Sequence, residues 1–316
     1  MSDGNEVDIG IVGGGPAGLS AAIWSARYLH SVVLVDGGDP RNWETRGVHG
    51  FLGLEGINPP ELRKRGRDTC RELGVNLVDG TVLHAEQRGD DDFLLSLEGG
   101  ERFTVRRLML TIGLRDIWPD VPGLDRAFGA NAHVCPDCDG YDARGKKVVV
   151  IGNGRRAVGM ALNLTTWTND IIICTNGRPA ELDEPEYCEK LDALNIPVLT
   201  DRITELCCES SRIYCLMLEE SKQLDADKVF FTIAQYPADD LGAQLGCERD
   251  DEGHLIVDAL GNTSIEHVYA AGDITPGPQL AIAAAAGGAA AALSIHKSLV
   301  PPGRKLLPLE PVTNSR

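Results

Sequence analysis

Two strand–glycine-turn–helix units, one opening at Gly13 and one at Gly152, predict an α/β protein, and a third strand running into Gly272-Asp273 says that the first unit is resumed near the C-terminus. The expected fold is two Rossmann-like (three-layer ββα) dinucleotide-binding domains, the second inserted in the first. The first would be discontinuous, residues 1–117 and 246–316, with the second spanning 118–245. A chain of 316 residues is long enough for two such domains.

Element by element, a buried strand reads from Val7 to Val12, followed by the glycine turn, a helix over Leu19–Tyr28 and a strand from Ser31 to Val35 closing on Asp36. The segment from Gly37 to about Pro60 reads as loop. An amphipathic helix is expected over Glu61–Leu73, then alternating strands from Val75 to Thr111 with turns at Gly89 and Gly99-Gly100. Trp118-Pro119-Asp120-Val121-Pro122-Gly123 reads as a linker. A strand over Lys147–Ile151, a helix to about Trp167 and a strand at Ile171–Cys174 make the second βαβ unit. Strands at Val229–Ile233 and His267–Ala271 precede an alanine-rich helix from about Gln279 to Leu299. Pro301–Arg316, with four prolines, reads as a tail.

Composition narrows the function. The 30 Lys+Arg against 47 Asp+Glu leave a net charge of −17, a surface that repels phosphate backbones and anionic lipid, so neither nucleic acid nor a membrane surface is an expected partner. No apolar run approaches the ~20 residues of a spanning helix. The nine cysteines (Cys70, Cys135, Cys138, Cys174, Cys188, Cys207, Cys208, Cys215, Cys247) are odd in number and irregular in spacing, unlike a secreted disulfide framework. Met1–Val7 has neither the basic nor the apolar region of a leader, so the expected setting is the reducing cytoplasm, where a close cysteine pair means metal or redox chemistry.

The motifs carry that chemistry. In Gly13-x-Gly15-x-x-Gly18, with Pro16 and Ala17 opening the helix, glycines permit the tight turn and the approach of a pyrophosphate to the helix N-terminus, while Asp36 is placed to accept from a ribose hydroxyl. Gly152-x-Gly154-x-x-Ala157 repeats the turn, but its second strand ends on Cys174-Thr175-Asn176-Gly177 with no acid. Arg155, Arg156 and Arg178 are the candidate phosphate contacts there. Cys135-Pro136-Asp137-Cys138 has the spacing of a redox-active disulfide. Zinc is the rival, but no second pair of ligands is in view and no metal site is expected. Asp139 is placed to move a proton to or from a leaving thiolate, with a plain turn residue as its alternative. His133 is read as structural, and the other seven cysteines are given no role.

Taken in order, Gly13–Gly18, Cys135-Pro136-Asp137-Cys138-Asp139-Gly140, Gly152–Ala157 and Ala270-Ala271-Gly272-Asp273 resemble the flavoprotein disulfide reductases of the low-molecular-weight thioredoxin reductase type, from Val7 to about His296. Thr111-Ile112-Gly113 is similar to that type's strand-end turn. The resemblance implies FAD along the first domain: phosphates at Gly13–Gly18, ribose on Asp36, ribityl chain on Asp273 beside Gly272, and Gln279, Leu280 and Ala281 facing the isoalloxazine ring. It also implies that Cys138 contacts the flavin, Cys135 exchanges with the substrate, Asp139 is the acid/base, the domains rotate, and the protein is a homodimer. Where that type carries His-Arg-Arg to read NADPH, this chain has Thr175-Asn176-Gly177, and Pro278-Gln279 stands two residues early relative to Gly287. The expectation is therefore an FAD-dependent dithiol/disulfide oxidoreductase that does not use NADPH, like variants that hold a second FAD or oxidise small-molecule dithiols with oxygen. Its partner would be a thioredoxin-like protein or a small dithiol. An NADPH-dependent thioredoxin reductase and a flavin-binding redox sensor are the alternatives.

Overall fold

The computed structural model describes residues 6–89, 91–209 and 212–305. The expected tail beyond residue 305, and the segment before Glu6, lie outside the described residues; Pro302–Arg304 form a short 3-10 turn.

The α/β class is as expected. The first unit opens with β1 (Glu6–Val12), α1 (Pro16–Arg27), β2 (Val32–Asp36), α2 (Pro59–Glu72) and β3 (Asn76–Asp79). It continues through β4 (Val82–Arg88), β5 (Asp92–Leu97) and β6 (Arg102–Leu110). The inserted unit follows β7 (Leu114–Ile117) and contains α3 (Leu124–Ala127), β8 (Ala132–His133), α4 (Pro136–Asp139), β9 (Val148–Ile151), α5 (Gly154–Leu164), β10 (Ile171–Cys174), α6 (Pro185–Ala193) and β11 (Val198–Leu199). It closes with β12 (Ile203–Glu209), β13 (Arg212–Leu218), β14 (Gln223–Asp225) and β15 (Lys228–Phe231). After β16 (Ala234–Pro237) come α7 (Leu241–Gln244), β17 (Val268–Ala270) and α8 (Ala281–Leu299).

The first sheet runs β3-β2-β1-β6, with β17 also on β6; these pairs are parallel, and the antiparallel β4-β5 pair joins the same β6. Side chains alternate across β1, so Ile9 and Ile11 pack toward α1 and α8 while Val12 packs with β4, β5 and α7. The second unit repeats the parallel core as β11-β10-β9-β15-β8 and covers it with the antiparallel β12-β13-β14 sheet. β7 and β16, the two passages between units, pair as an antiparallel ribbon. Leu241 and Leu245, which precede the boundary expected at 245/246, pack into the first unit's core.

α1 starts at Pro16, three residues before the sequence expectation, because proline at the first helical position needs no N–H partner and its fixed φ already suits the helix. α8 lies against it through a small-residue face of Ala284, Gly288, Ala291 and Ala292. No helix among the described residues is long and apolar enough to cross a membrane.

Two outcomes test this packing. A Cβ on Gly288 would stand 2.0 Å from the Ala17 carbonyl oxygen, which is backbone and cannot swing away. Gly288→Ala should therefore destabilise the protein by about 2 kcal/mol, the cost of overpacking, despite alanine's better helix propensity; a denaturant midpoint that does not fall would contradict this. Asp239, after the ribbon, has its carboxyl pushed up to about 6 by burial, with the Leu241 N–H opposing, Asp240 adding and Arg249 opposing. The folded state thus holds this proton more tightly than the unfolded chain, so stability is lost as pH rises from about 4 through 6. Asp239→Asn should raise the melting temperature at pH 8 and leave it unchanged near pH 4.

Candidate active site: a disulfide and two glycine turns

At the first turn Gly13 has φ +103°, its N–H donates to the Val35 carbonyl at 2.8 Å, and the Thr111 hydroxyl donates to the Gly13 carbonyl at 2.8 Å. A Cβ on Gly18 would lie 1.9 Å from the Gly13 oxygen, so the helix can approach the turn only as glycine. In front of Gly15 nothing lies within 4 Å of where a Cβ would be, which leaves open space at the helix N-terminus. Gly272 packs 3.0 Å from the Ala17 methyl by the same construction, bringing the Gly272-Asp273 turn to the glycine turn.

Asp36 ends β2 and is 7% exposed. Its Oδ1 accepts from the Gly38 N–H at 3.1 Å; Oδ2 accepts from Arg67 Nη1 at 3.1 Å and is also paired with Arg63. Arg63 and Arg67 stand one turn apart on α2, and sequence reasoning missed both. The spacing was a signal, but many surface helices carry it. Arg41, from the loop, was missed as well. Its Nη1 donates to Gln279 Oε1 at 2.7 Å and to Asp273 Oδ2 at 3.1 Å, and its Nε donates to Asp116 Oδ2 at 2.9 Å. Gln235 of β16 bonds both Asp116 and Gln279, so the ribbon is tied to the Asp273–Gln279 segment. Leu280 is the residue before α8 and Ala281 its first.

Cys135 and Cys138 are joined in a disulfide, with Cα atoms 5.3 Å apart. Cys135 precedes the single-turn α4 and Pro136 is its first residue. The Cys138 N–H points at the Cys135 sulfur, 3.1 Å away, a donor that stabilises a thiolate there once the bond is cleaved. Asn163 Nδ2 of α5 donates to Asp137 Oδ1 at 3.0 Å and pins the turn. A Cβ on Gly140 would stand 2.6 Å from the Trp167 ring, which explains the glycine after Asp139. Asp139 Oδ1 lies 3.2 Å from Nδ1 of His133, a side chain only 5% exposed.

The second turn looks alike in sequence and differs in space. The Gly152 N–H donates to the Cys174 carbonyl as its counterpart does, yet the Gly154 N–H donates to Ala180 O at 2.9 Å. The Glu181 carboxylate stands 3.1 Å from where a Gly154 Cβ would be, in the position left open at Gly15. Arg156 Nη1 donates to the Ile233 carbonyl at 2.8 Å. Arg155 and Arg178 are exposed, and Ala157 lies on the buried face of α5. Asn176 bridges Asp120 O and the Ile203 N–H, while the Arg178 N–H donates to the Thr175 carbonyl and closes the turn after β10.

Two dinucleotide folds, one carrying a Cys-x-x-Cys disulfide in the inserted unit, define a flavoprotein disulfide oxidoreductase of the thioredoxin reductase-like type. The chain belongs to the pyridine nucleotide-disulphide oxidoreductase family, whose model matches residues 7–288. It is similar to thioredoxin reductase tcpT of Claviceps purpurea, 30% identical over 287 residues that cover 86% of this chain and 88% of that protein. The solved structure of HlmI shares 32% identity at a TM-score of 0.89, covering 95% of this chain and 94% of that one. A putative thioredoxin reductase TrxB from Bacillus anthracis shares 26% at 0.86, covering 92% and 98%.

Thiol titration checks the pairing. The unfolded, unreduced protein should react at seven thiols, Cys70, Cys174, Cys188, Cys207, Cys208, Cys215 and Cys247. After reduction all nine cysteines should react; nine before reduction would mean that the pair is not bonded.

Proposed function

We propose that this protein is an FAD-dependent dithiol/disulfide oxidoreductase that exchanges electrons through Cys135 and Cys138 without drawing on NADPH. The first unit fits FAD: the open space before Gly15 lies at the N-terminus of α1, where N–H groups and the helix dipole favour a pyrophosphate. Asp36 would hold the ribose, Asp273 the ribityl chain, and the Gln279-Leu280-Ala281 segment the ring. When bound, FAD supplies the two-electron acceptor or donor that a protein side chain lacks.

The observation that carries the NADPH-independent reading is the second turn. The Gly154 N–H, which would face a pyrophosphate, already serves Ala180, and the negative Glu181 stands beside it. That occlusion weighs equally against a second FAD in the same turn, which favours direct oxidation of a dithiol. The partner on this reading is a small-molecule dithiol or a thioredoxin-like protein.

In the dithiol-oxidising direction, Asp139 takes the proton of an incoming thiol, whose thiolate attacks Cys135 and releases Cys138, and then gives that proton to the Cys138 sulfur. The second substrate thiol then displaces Cys135 from the mixed disulfide. One substrate disulfide and one Cys135/Cys138 dithiol result, with two electrons and two protons transferred to the protein.

Anaerobic addition of dithiothreitol should bleach the flavin absorbance of the holoprotein, while NADPH and NADH leave it unchanged. Rapid bleaching by NADPH would overturn the nicotinamide-independent reading. Cys135→Ser and Cys138→Ser should each abolish bleaching by dithiothreitol without loss of bound flavin.

A further inference from the structure

His133, read from sequence as structural, lies between two charged groups. On one side its Nδ1 is 3.2 Å from Asp139 Oδ1. On the other its Nε2 is 3.2 Å from Lys228 Nζ. Lys228, the first residue of β15, also donates to the Ala130 carbonyl at 3.1 Å, which fixes its amine on the β8 side of the sheet. β8 and β15 are paired in register at Phe230 and His133, so both side chains are set by one strand pair.

The hydrogen-bond inventory dictates the tautomer. A lysine ammonium has donors only, so Nε2 facing it must be the acceptor, and the neutral ring then carries its proton on Nδ1. That N–H is the group that faces Asp139 Oδ1, 3.2 Å away. The groups around the ammonium are Asp139 on α4, Asp142 in the following turn, Arg46 in the first unit's loop and Lys146 before β9. Burial pulls the Lys228 amine below its ordinary value, with Asp142 and Asp139 opposing and Arg46 and Lys146 adding.

We propose that His133 is a positioning residue, its tautomer set by Lys228, that holds Asp139 oriented for proton exchange with the Cys135/Cys138 dithiol. The inference rests on the disulfide reading given above. A carboxylate that loses a close neighbour orienting it turns more freely. During exchange Asp139 takes the proton of the incoming thiol and gives it to the departing Cys138 sulfur; His133 gains and loses none. No oxidant beyond the Cys135–Cys138 disulfide is needed for this step.

The test is anaerobic stopped-flow bleaching of the flavin-loaded protein by dithiothreitol across pH, with nitrogen-15 NMR of the histidine rings. Asp139→Asn should slow bleaching by about 10²-fold, the scale of acid–base assistance. His133→Phe should slow it by about tenfold near pH 7, in line with the loss of a partner that orients an active group. His133→Asn, which keeps an N–H donor toward Asp139, should recover most of the rate. Lys228→Met should leave bound flavin intact and release the tautomer, so that the ring signal of His133 loses its Nδ1–H form. A wild-type ring protonated on Nε2, or a His133→Phe protein with unchanged rate, would overturn the proposal. Bleaching that survives Cys135→Ser overturns the disulfide reading and this inference with it. Bleaching lost in Cys135→Ser but unchanged in His133→Phe overturns this inference alone.

Discussion

Backbone meets backbone at the first glycine turn, and the rest of the first unit is arranged around that contact. The Gly13 oxygen would be 1.9 Å from a Cβ on Gly18, and the Ala17 oxygen 2.0 Å from one on Gly288. Neither carbonyl can move without breaking β1 or α1. Three segments far apart in sequence, β1 with its turn, the start of α1, and α8, therefore converge only because Gly18 and Gly288 carry no side chain. The convergence also brings Gly272-Asp273 against Ala17, which sets the acid and the α8 N-terminus beside the space before Gly15. Dispersion between closely packed small residues contributes to this interface, but sterics decide its geometry.

The second unit's glycine turn differs from the first in what surrounds it. Gly152 and Gly13 make the same strand-to-strand hydrogen bond, and both turns open helices. The difference comes from the segment after β10, where the Arg178 N–H closes a turn on Thr175 O and Ala180 and Glu181 then stand against Gly154. A donor N–H satisfied by a protein carbonyl offers an incoming phosphate an exchange and no net gain, and a nearby carboxylate adds repulsion. The glycines still serve the fold, since a Cβ at Gly152 would collide with Thr232 at 2.3 Å.

Around the disulfide, charge and position are supplied by different elements. α4 provides Asp139 and aims the Cys138 N–H at the Cys135 sulfur; α5 anchors Asp137; β8 and β15 bring His133 and Lys228 to the far side of the carboxylate. The buried imidazole, only 5% exposed, has a charged group 3.2 Å from each ring nitrogen, Lys228 Nζ at Nε2 and Asp139 Oδ1 at Nδ1. On the first unit's side, Arg41 ties Asp273 and Gln279 to Asp116 on the ribbon, so the segment expected to hold the flavin ring and the passage between the units share one cation.

The sequence alone determined the α/β class, both glycine turns, the CxxC turn and the acid ending β2, because each is written in contiguous residues: glycines where backbone must come close, an apolar run before them, two cysteines at a fixed spacing. It also carried the departure at Thr175-Asn176-Gly177. What it left undecided was whatever depends on residues remote in the chain. Arg41 meets Asp273, Arg67 meets Asp36, and Lys228 meets His133 only after strands pair and helices dock. The antiparallel β12-β13-β14 sheet and the ribbon of β7 with β16 likewise follow from pairing, which no local pattern announces. A lone histidine has the same spelling whether it fills a core or steadies a carboxylate. Tertiary structure decides, since hydrogen bonds are fixed by distance and angle and not by order along the chain.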